Sequence, residues 1–140
     1  MDLSRPTLLS FVNYFVYQDS SQSESEDALI EKLLEIEDID ITYFESERLR
    51  FFSTPRSSLF NESLENLKQM QQAQQLRCLA WLFIFSRSDQ KTDSKEWHLL
   101  YRIYAKELNL NLIEIVKVQV NISVQIRNLE RTRLEKYKRL

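Results

Sequence analysis

The 140-residue chain contains no glycine, and it has only two prolines, one cysteine and one histidine. Without glycine it cannot form a glycine-rich phosphate-binding loop or the dinucleotide-binding fingerprint. Tight β-hairpin turns, which use residues of positive φ, are also disfavoured. These absences exclude the common nucleotide-binding classes and favour an all-α fold.

Cysteine usage and hydropathy indicate where the protein works. A single cysteine, Cys78, cannot form an internal disulfide, which fits a reducing compartment. No apolar run approaches transmembrane length. The first residues, MDLSRP, lack the basic start and the small-residue cleavage site of a signal peptide. We therefore expect a cytoplasmic protein.

One pattern occurs twice in the chain, at an offset of seventy residues and without a gap. The second copy is the apolar stretch CLAWLFIFS, the polar loop RSDQKTDSKE and the amphipathic stretch WHLLYRIY, and the first copy is LLSFVNYFVY, QDSSQSESED and ALIEKLL. Phe11 falls on Trp81, and Phe15 falls on Phe85. Residues 108–112 echo residues 36–41 with a slip of one residue. The repeat predicts two pseudo-symmetric halves, about residues 6–52 and 59–126.

The apolar periodicity and the cap signals predict one domain, residues 1–126, followed by a basic helical tail, residues 127–140. We expect about seven helices, with the first and the fifth at the centre because they are apolar nearly all round. Their predicted ranges are about 6–17, 24–36, 41–52, 59–68, 72–87 and 94–108, and a seventh helix capped by Asn111. The third helix is predicted to bury Phe44, Leu49 and Phe52.

Residues 116–126 carry two conflicting signals. Valine and isoleucine alternate strictly with polar residues there, which is typical of a strand. Such a strand has no pairing partner elsewhere in the chain and would have to pair with a second copy. The repeat predicts a helix instead, and we favour it. The apolar seam of that helix would be Ile115, Val118, Ile122, Ile126 and Leu129.

Two acidic loops lie between the paired helices. Asp19 precedes Glu26 by seven residues, and Asp89 likewise precedes Glu96. Ser23 and Glu26, like Asp93 and Glu96, have the spacing of a capping box, which predicts a polar turn before a capped helix. The alternative is a weak calcium or magnesium site. Its candidate ligands are Asp19, Glu26, Asp89, Asp93 and Glu96. A true EF-hand is excluded because its loop requires glycine.

No arrangement of residues predicts catalysis. His98 is expected at the surface or at the boundary of the core, near the start of the sixth helix, with no nucleophile at a suggestive spacing. Cys78 opens an apolar helix and is expected to pack as a small hydrophobic side chain. We therefore expect that the protein is not an enzyme and has no cofactor other than the weak cation.

Charge is divided unevenly along the chain. Residues 1–47 hold twelve acids and two bases, whereas residues 127–140 hold six bases and two acids. The basic residues could bind nucleic acid or an anionic membrane, or dock on the acidic half of the same or another copy. They are Arg127, Arg131, Arg133, Lys136, Lys138 and Arg139. A homodimer through residues 112–140 is a further expectation.

The order of elements from about residue 6 to 126 resembles the tellurium-resistance TerB-like domain. A related helical domain occurs in the N-terminal part of a membrane-anchored DnaJ-like co-chaperone. In this family an Asp-Gly pair follows a buried helix, and a Glu begins the next helix seven residues after the Asp. Asp89, Asp93 and Glu96 carry the best match, while Ser20 and Gln90 stand where the family has Gly. The resemblance implies a non-catalytic interaction module with a protein partner, linked to stress response or to assemblies at the membrane.

Overall fold

The computed structural model describes residues 4–17, 24–87 and 94–138. Within these ranges the protein is all-α, with seven helices and no strand. The helices are α1 (Ser4–Val16), α2 (Glu24–Ile36), α3 (Ile41–Ser53), α4 (Arg56–Lys68), α5 (Gln72–Arg87), α6 (Ser94–Tyr101) and α7 (Leu112–Lys138). A π-helical segment, Arg102–Glu107, continues α6. The predicted all-helical fold of about seven helices is confirmed.

The two most apolar helices, α1 and α5, pack against each other. Helix α1 also contacts α3 and α4, and α5 also contacts α6 and α7. Four consecutive residues of α5 are fully buried, Leu79, Ala80, Trp81 and Leu82. A helix that is apolar all round must pack against other helices on every side. The contacts of α1 and α5 meet this requirement. Each large apolar side chain buried there contributes about 1.5–3 kcal/mol relative to an exposed position.

The turn that follows the second helix, and the cap of the third helix, are the same in both halves. Asp38 and Asn109, which follow the second helix of each half, both have positive φ, 53° and 52°. Asp and Asn tolerate this left-handed conformation better than other non-glycine residues. Two residues later, Asp40 Oδ1 accepts a hydrogen bond of 2.7 Å from the Thr42 amide, and Asn111 Oδ1 accepts one of 2.8 Å from the Ile113 amide. In this glycine-free chain, short Asp and Asn side chains make these turns possible.

The π-helical segment accounts for the one-residue slip between the halves. Helices α2 and α6 begin seventy residues apart, but α3 and α7 begin seventy-one apart. In the first half, the Ile39 amide donates to the Leu34 carbonyl, five residues back. In the second half, the Leu110 amide donates to the Tyr104 carbonyl, six residues back. The wider π turn therefore holds one extra residue without rotating what precedes or follows it.

The third helix differs from prediction in its buried residues. Phe44 is buried as expected, but Leu49 and Phe52 are 71% and 55% exposed, and Phe51 is buried instead. Phe44 and Phe51 are seven residues apart and so lie on one face of α3. Leu49 lies away from that face, and Phe52 lies at its edge, where its ring contacts that of Tyr17. The prediction for Leu49 and Phe52 was wrong because α3 carries apolar residues on two faces.

Residues 116–126 are helical, and the strand alternative is wrong. Ile115 and Ile122 are fully buried, Val118 and Ile126 pack against the core, and Leu129 is half-buried. The predicted seam is therefore confirmed. Helix α7 continues without a break through residues 126 and 127, where the sequence predicts the start of the tail.

Candidate interaction surface on the C-terminal helix

Helix α7 has a second row of apolar residues that does not face the core. Ile113, Val116, Val120 and Val124 are 65%, 42%, 52% and 45% exposed. At 3.6 residues per turn these four side chains fall within an arc of roughly 80°, turned away from the buried seam. The three valines are spaced by four, so they form one of the ridges along which helices pack.

The same side of α7 becomes basic toward its C-terminal end. Arg127, Arg131 and Lys138 project within the same arc of roughly 80°, and all three are exposed. Across the described part of the chain, neither Arg127 nor Arg131 makes an ion pair. We define the outer face of α7 by its exposed apolar residues and the bases that continue their arc: Ile113, Val116, Val120, Val124, Arg127, Arg131 and Lys138.

The opposite side of α7 is attached to α2 by charged groups. Arg133 Nη2 donates to Glu35 Oε2 at 3.0 Å, and its guanidinium lies 3.8 Å from Glu31. Lys32 forms an ion pair with Glu130. Such exposed pairs are worth about 0–1 kcal/mol each, so they orient α7 more than they stabilise it.

The six basic residues that the sequence predicts as one binding surface therefore do not all lie on the same side of α7. Arg133 docks on the acidic α2 of its own chain. Arg127, Arg131 and Lys138 belong to the outer face, while Lys136 is exposed elsewhere on α7. Arg139 lies outside the described residues.

A groove of about 620 Å³ runs beside the outer face, between α5 and α7. Its apolar lining comes from Ala73, Leu76, Val118 and Val124, and its polar lining from Arg77, Asn121 and Gln125. Val124 belongs to both the groove and the outer face. The accessible surface is therefore wider than the valine ridge alone.

Most of the predicted cation ligands lie outside the described residues, namely Asp19, Asp89 and Asp93. The remaining two, Glu26 and Glu96, are buried at equivalent positions in α2 and α6. His98 is exposed on α6, as predicted. Within residues 4–17, 24–87 and 94–138, no three His, Cys, Asp or Glu residues are placed to hold a metal ion.

A recess of about 270 Å³ lies where α1, α5 and the end of α2 meet. Glu37 occupies it, and its Oε1 accepts hydrogen bonds from Arg77 and, at 2.7 Å, from Trp81 Nε1. Cys78 also lines the recess, and burial, together with the nearby Glu37 carboxylate, raises the pKa of its thiol to about 12. The thiol is therefore protonated at neutral pH, and its polar neighbours already bind one another. The Glu37 contacts could not be predicted from local spacing, because Arg77 and Trp81 lie 40 and 44 residues further along the chain.

The outer face of α7 was not recognised from the sequence either. Val116, Val120 and Val124 belong to the alternating pattern that is typical of a strand, and the helical seam that we favour does not include them. The sequence did contain a signal for this face. Helix α7 has two separate rows of apolar residues, and packing against the core needs only one of them. One row is 115, 118, 122 and 126, and the other is 113, 116, 120 and 124.

Comparison with known proteins gives no relative. No family model matches the chain, and no curated protein or solved structure is significantly similar to it. Within the ranges that the structure describes, every helix is too short or too polar to cross a bilayer.

Proposed function

We propose that the protein is a non-catalytic helical interaction module that binds a protein partner through the outer face of α7. The observation that carries this proposal is the exposed valine ridge, Val116, Val120 and Val124, on a helix whose other side already fills the core. Contiguous apolar surface on a folded domain is typical of a site that another molecule covers.

The form of the ridge favours a helical partner. Rows of side chains spaced by four fit the grooves of a second helix, most often at a crossing angle of about −50°. Valine adds a rigid, β-branched surface that loses little rotamer freedom on binding. Arg127 and Arg131, which follow the ridge, suit carboxylates on that partner.

A second candidate partner is an anionic surface, either a membrane or a nucleic acid. The shared arc of Arg127, Arg131 and Lys138 supports it, since these bases are exposed together. Interfacial helices, however, use Trp, Phe and Leu, and the apolar residues here are mainly valine. If the double substitution Arg127→Glu with Arg131→Glu leaves binding to duplex DNA and anionic vesicles unchanged, this candidate is rejected.

The family resemblance supports an interaction module of the TerB-like type, with a role in stress response or in a membrane-associated assembly of the cytoplasm. The weak cation site in the two acidic loops stays a prediction. Millimolar Ca²⁺ or Mg²⁺ should raise the melting temperature of the wild-type protein but not of Asp89→Asn. Equal melting curves with and without metal would reject the site.

The proposed function can be tested by capture of partners from the native cell. Val120→Glu places a charge in the middle of the valine ridge, and His98→Glu adds the same charge on exposed α6 as a matched control. A partner retained by the wild-type chain and His98→Glu but lost by Val120→Glu is the expected result. Equal retention by all three would show that the outer face of α7 is not the binding site.

A further inference from the structure

We infer that the outer face of α7 binds the third helix of a second copy of this chain. This inference rests on the proposed function and names the partner. Helix α3 has an exposed face of its own, made by Ile41, Glu45, Leu49 and Phe52. We call this set the outer face of α3.

The two outer faces are counterparts in the repeat. At the offset of seventy-one set by the π turn, Glu45 corresponds to Val116 and Leu49 corresponds to Val120. Ile41 and Leu49 are 57% and 71% exposed. Residues 41, 45 and 49 are spaced by four, as are the valines of α7, so each helix presents the kind of ridge that the other can receive.

The charges near the two faces are opposite. Residues 37–53, which lead into and form α3, hold five acids and two bases, Arg48 and Arg50. Residues 127–138 of α7 hold five bases and two acids. Asp38, Asp40 and Glu45 are exposed, as are Arg127 and Arg131. Complementary charge of this kind favours the encounter and fixes the register of an interface.

An antiparallel arrangement satisfies both the apolar and the charged residues. Phe52 to Ile41 and Val116 to Arg127 each span eleven residues, roughly 16 Å of helix. With Phe52 beside Val116, Leu49 lies near Val120, and Glu45 lies level with residue 123, about one helical turn before Arg127. The carboxylates that precede α3 then approach Arg131.

Two copies of α7 would match each other poorly. A parallel pair would bring Arg127 and Arg131 against the same bases of the other copy. An antiparallel pair would set them against the apolar start of the other outer face. Contact between α3 and α7 avoids both problems. It is also geometrically available, because α3 packs on α1 and α7 packs on α5, which leaves their outer faces for other molecules.

The experiment uses two full-length variants, Leu49→Glu in α3 and Val120→Glu in α7, with His98→Glu as the control. Sedimentation equilibrium measures the mass of each alone and of a 1:1 mixture. The wild-type chain and the control should exceed the monomer mass of 16.9 kDa as concentration rises. Each variant alone should remain a monomer or associate at least tenfold more weakly. The mixture should recover association, because one intact α3 face and one intact α7 face remain.

Three results would overturn the inference. A wild-type monomer at every concentration would show that the partner is another molecule. Association lost in Val120→Glu but kept in Leu49→Glu would show pairing of two α7 helices. A mixture as monomeric as its components would show that the two faces do not bind each other. Partner capture from the cell remains a separate test, so failure of self-association does not decide the proposed function.

Discussion

The two halves share their buried positions and differ on their surfaces. In the first half, the third helix stops at Ser53 before Pro55, and in the second half its counterpart runs on to Lys138. Phe44 and Phe51 of α3 are buried, and so are Ile115 and Ile122, seventy-one residues later. What is shared therefore builds the core. What differs, a short helix with two acids and two bases against a long helix rich in bases, is where we place binding.

The glutamates that follow the second helix of each half also occupy a shared position but make different contacts. Glu37 follows α2 and binds Arg77 and Trp81 of α5. Its counterpart at the offset of seventy, Glu107, ends the π segment and binds Lys68 of α4 at 3.0 Å. Both glutamates attach their helix to another one, but only Glu37 reaches a fully buried side chain. The following changes test how far this comparison of the halves holds, in order of decreasing effect.

Deleting one residue should affect the two halves very differently. Deletion of Lys106 converts the π turn into an α-helix and leaves the flanking residues in place, so we expect Tm to fall by less than about 8 °C. Helix α2 has no extra residue of the kind that the π turn holds, so it cannot compensate for deletion of Ala28. The rest of α2 would turn by roughly 100° and remove Ile30 and Leu33 from the core, which should prevent folding. Circular dichroism melts measure both; equal losses would contradict this account of the slip.

Trp81 and its counterpart Phe11 should both be critical, with Trp81 the more so. Replacing either by Ala should lower the free energy of unfolding by about 3–5 kcal/mol, measured by urea denaturation. Trp81→Ala should lie at the upper end because Glu37 also loses a hydrogen-bond donor. Trp81→Phe keeps an aromatic ring but removes that bond and part of the indole volume, so it should lose at least about 1–3 kcal/mol. A Trp81→Phe protein as stable as the wild type would show that this bond contributes nothing.

Asn13 is a polar residue at a position where the second half has Phe83. Asn13 is fully buried, and neither atom of its amide has a hydrogen-bond partner in the described part of the chain. An unpaired buried amide is unfavourable by about 1–3 kcal/mol, so Asn13→Leu should raise the free energy of unfolding by a similar amount. Chemical denaturation tests this. Loss of stability would indicate that the amide has a partner outside the described residues.

The smallest effect concerns the pH dependence of the Glu107 contact. The hydrogen bond from Lys68 lowers the pKa of Glu107 below its ordinary value of 4.5, and nearby Arg102 acts in the same direction. A lowered pKa in the folded state means that the stabilisation is present above pH 4.5 and is lost as pH falls below it. Glu107→Gln should therefore make the stability profile flatter below pH 4.5. An unchanged acid limb would contradict this.

The sequence predicted the core well because burial follows a local period. The apolar stretches of α1 and α5 were predicted correctly from spacing alone, and the seam of α7 was predicted correctly with the help of the repeat. Leu49 and Phe52 were not, because a helix with apolar residues on two faces does not indicate which face meets the core. That choice depends on where α1 lies.

The candidate site was harder to predict for a related reason. The valines of α7 fit a strand, a buried seam or an exposed ridge equally well until the position of α5 is known. The basic residues also looked like one group, but Arg133 lies on the side of α7 that faces α2. Their division into a docked residue and an exposed set follows from the packing of distant helices, which short-range patterns do not encode.

The most direct test of the account places a photo-crosslinking residue at position 120, in the centre of the outer face of α7, and another at exposed position 98 for comparison. After irradiation in the native cell, mass spectrometry identifies what is attached. We predict efficient cross-links to protein from position 120, and little from position 98. If the α3 inference holds, the attached peptide comes from residues 38–52 of a second copy. Equal cross-linking at both positions would contradict a binding role for the outer face of α7.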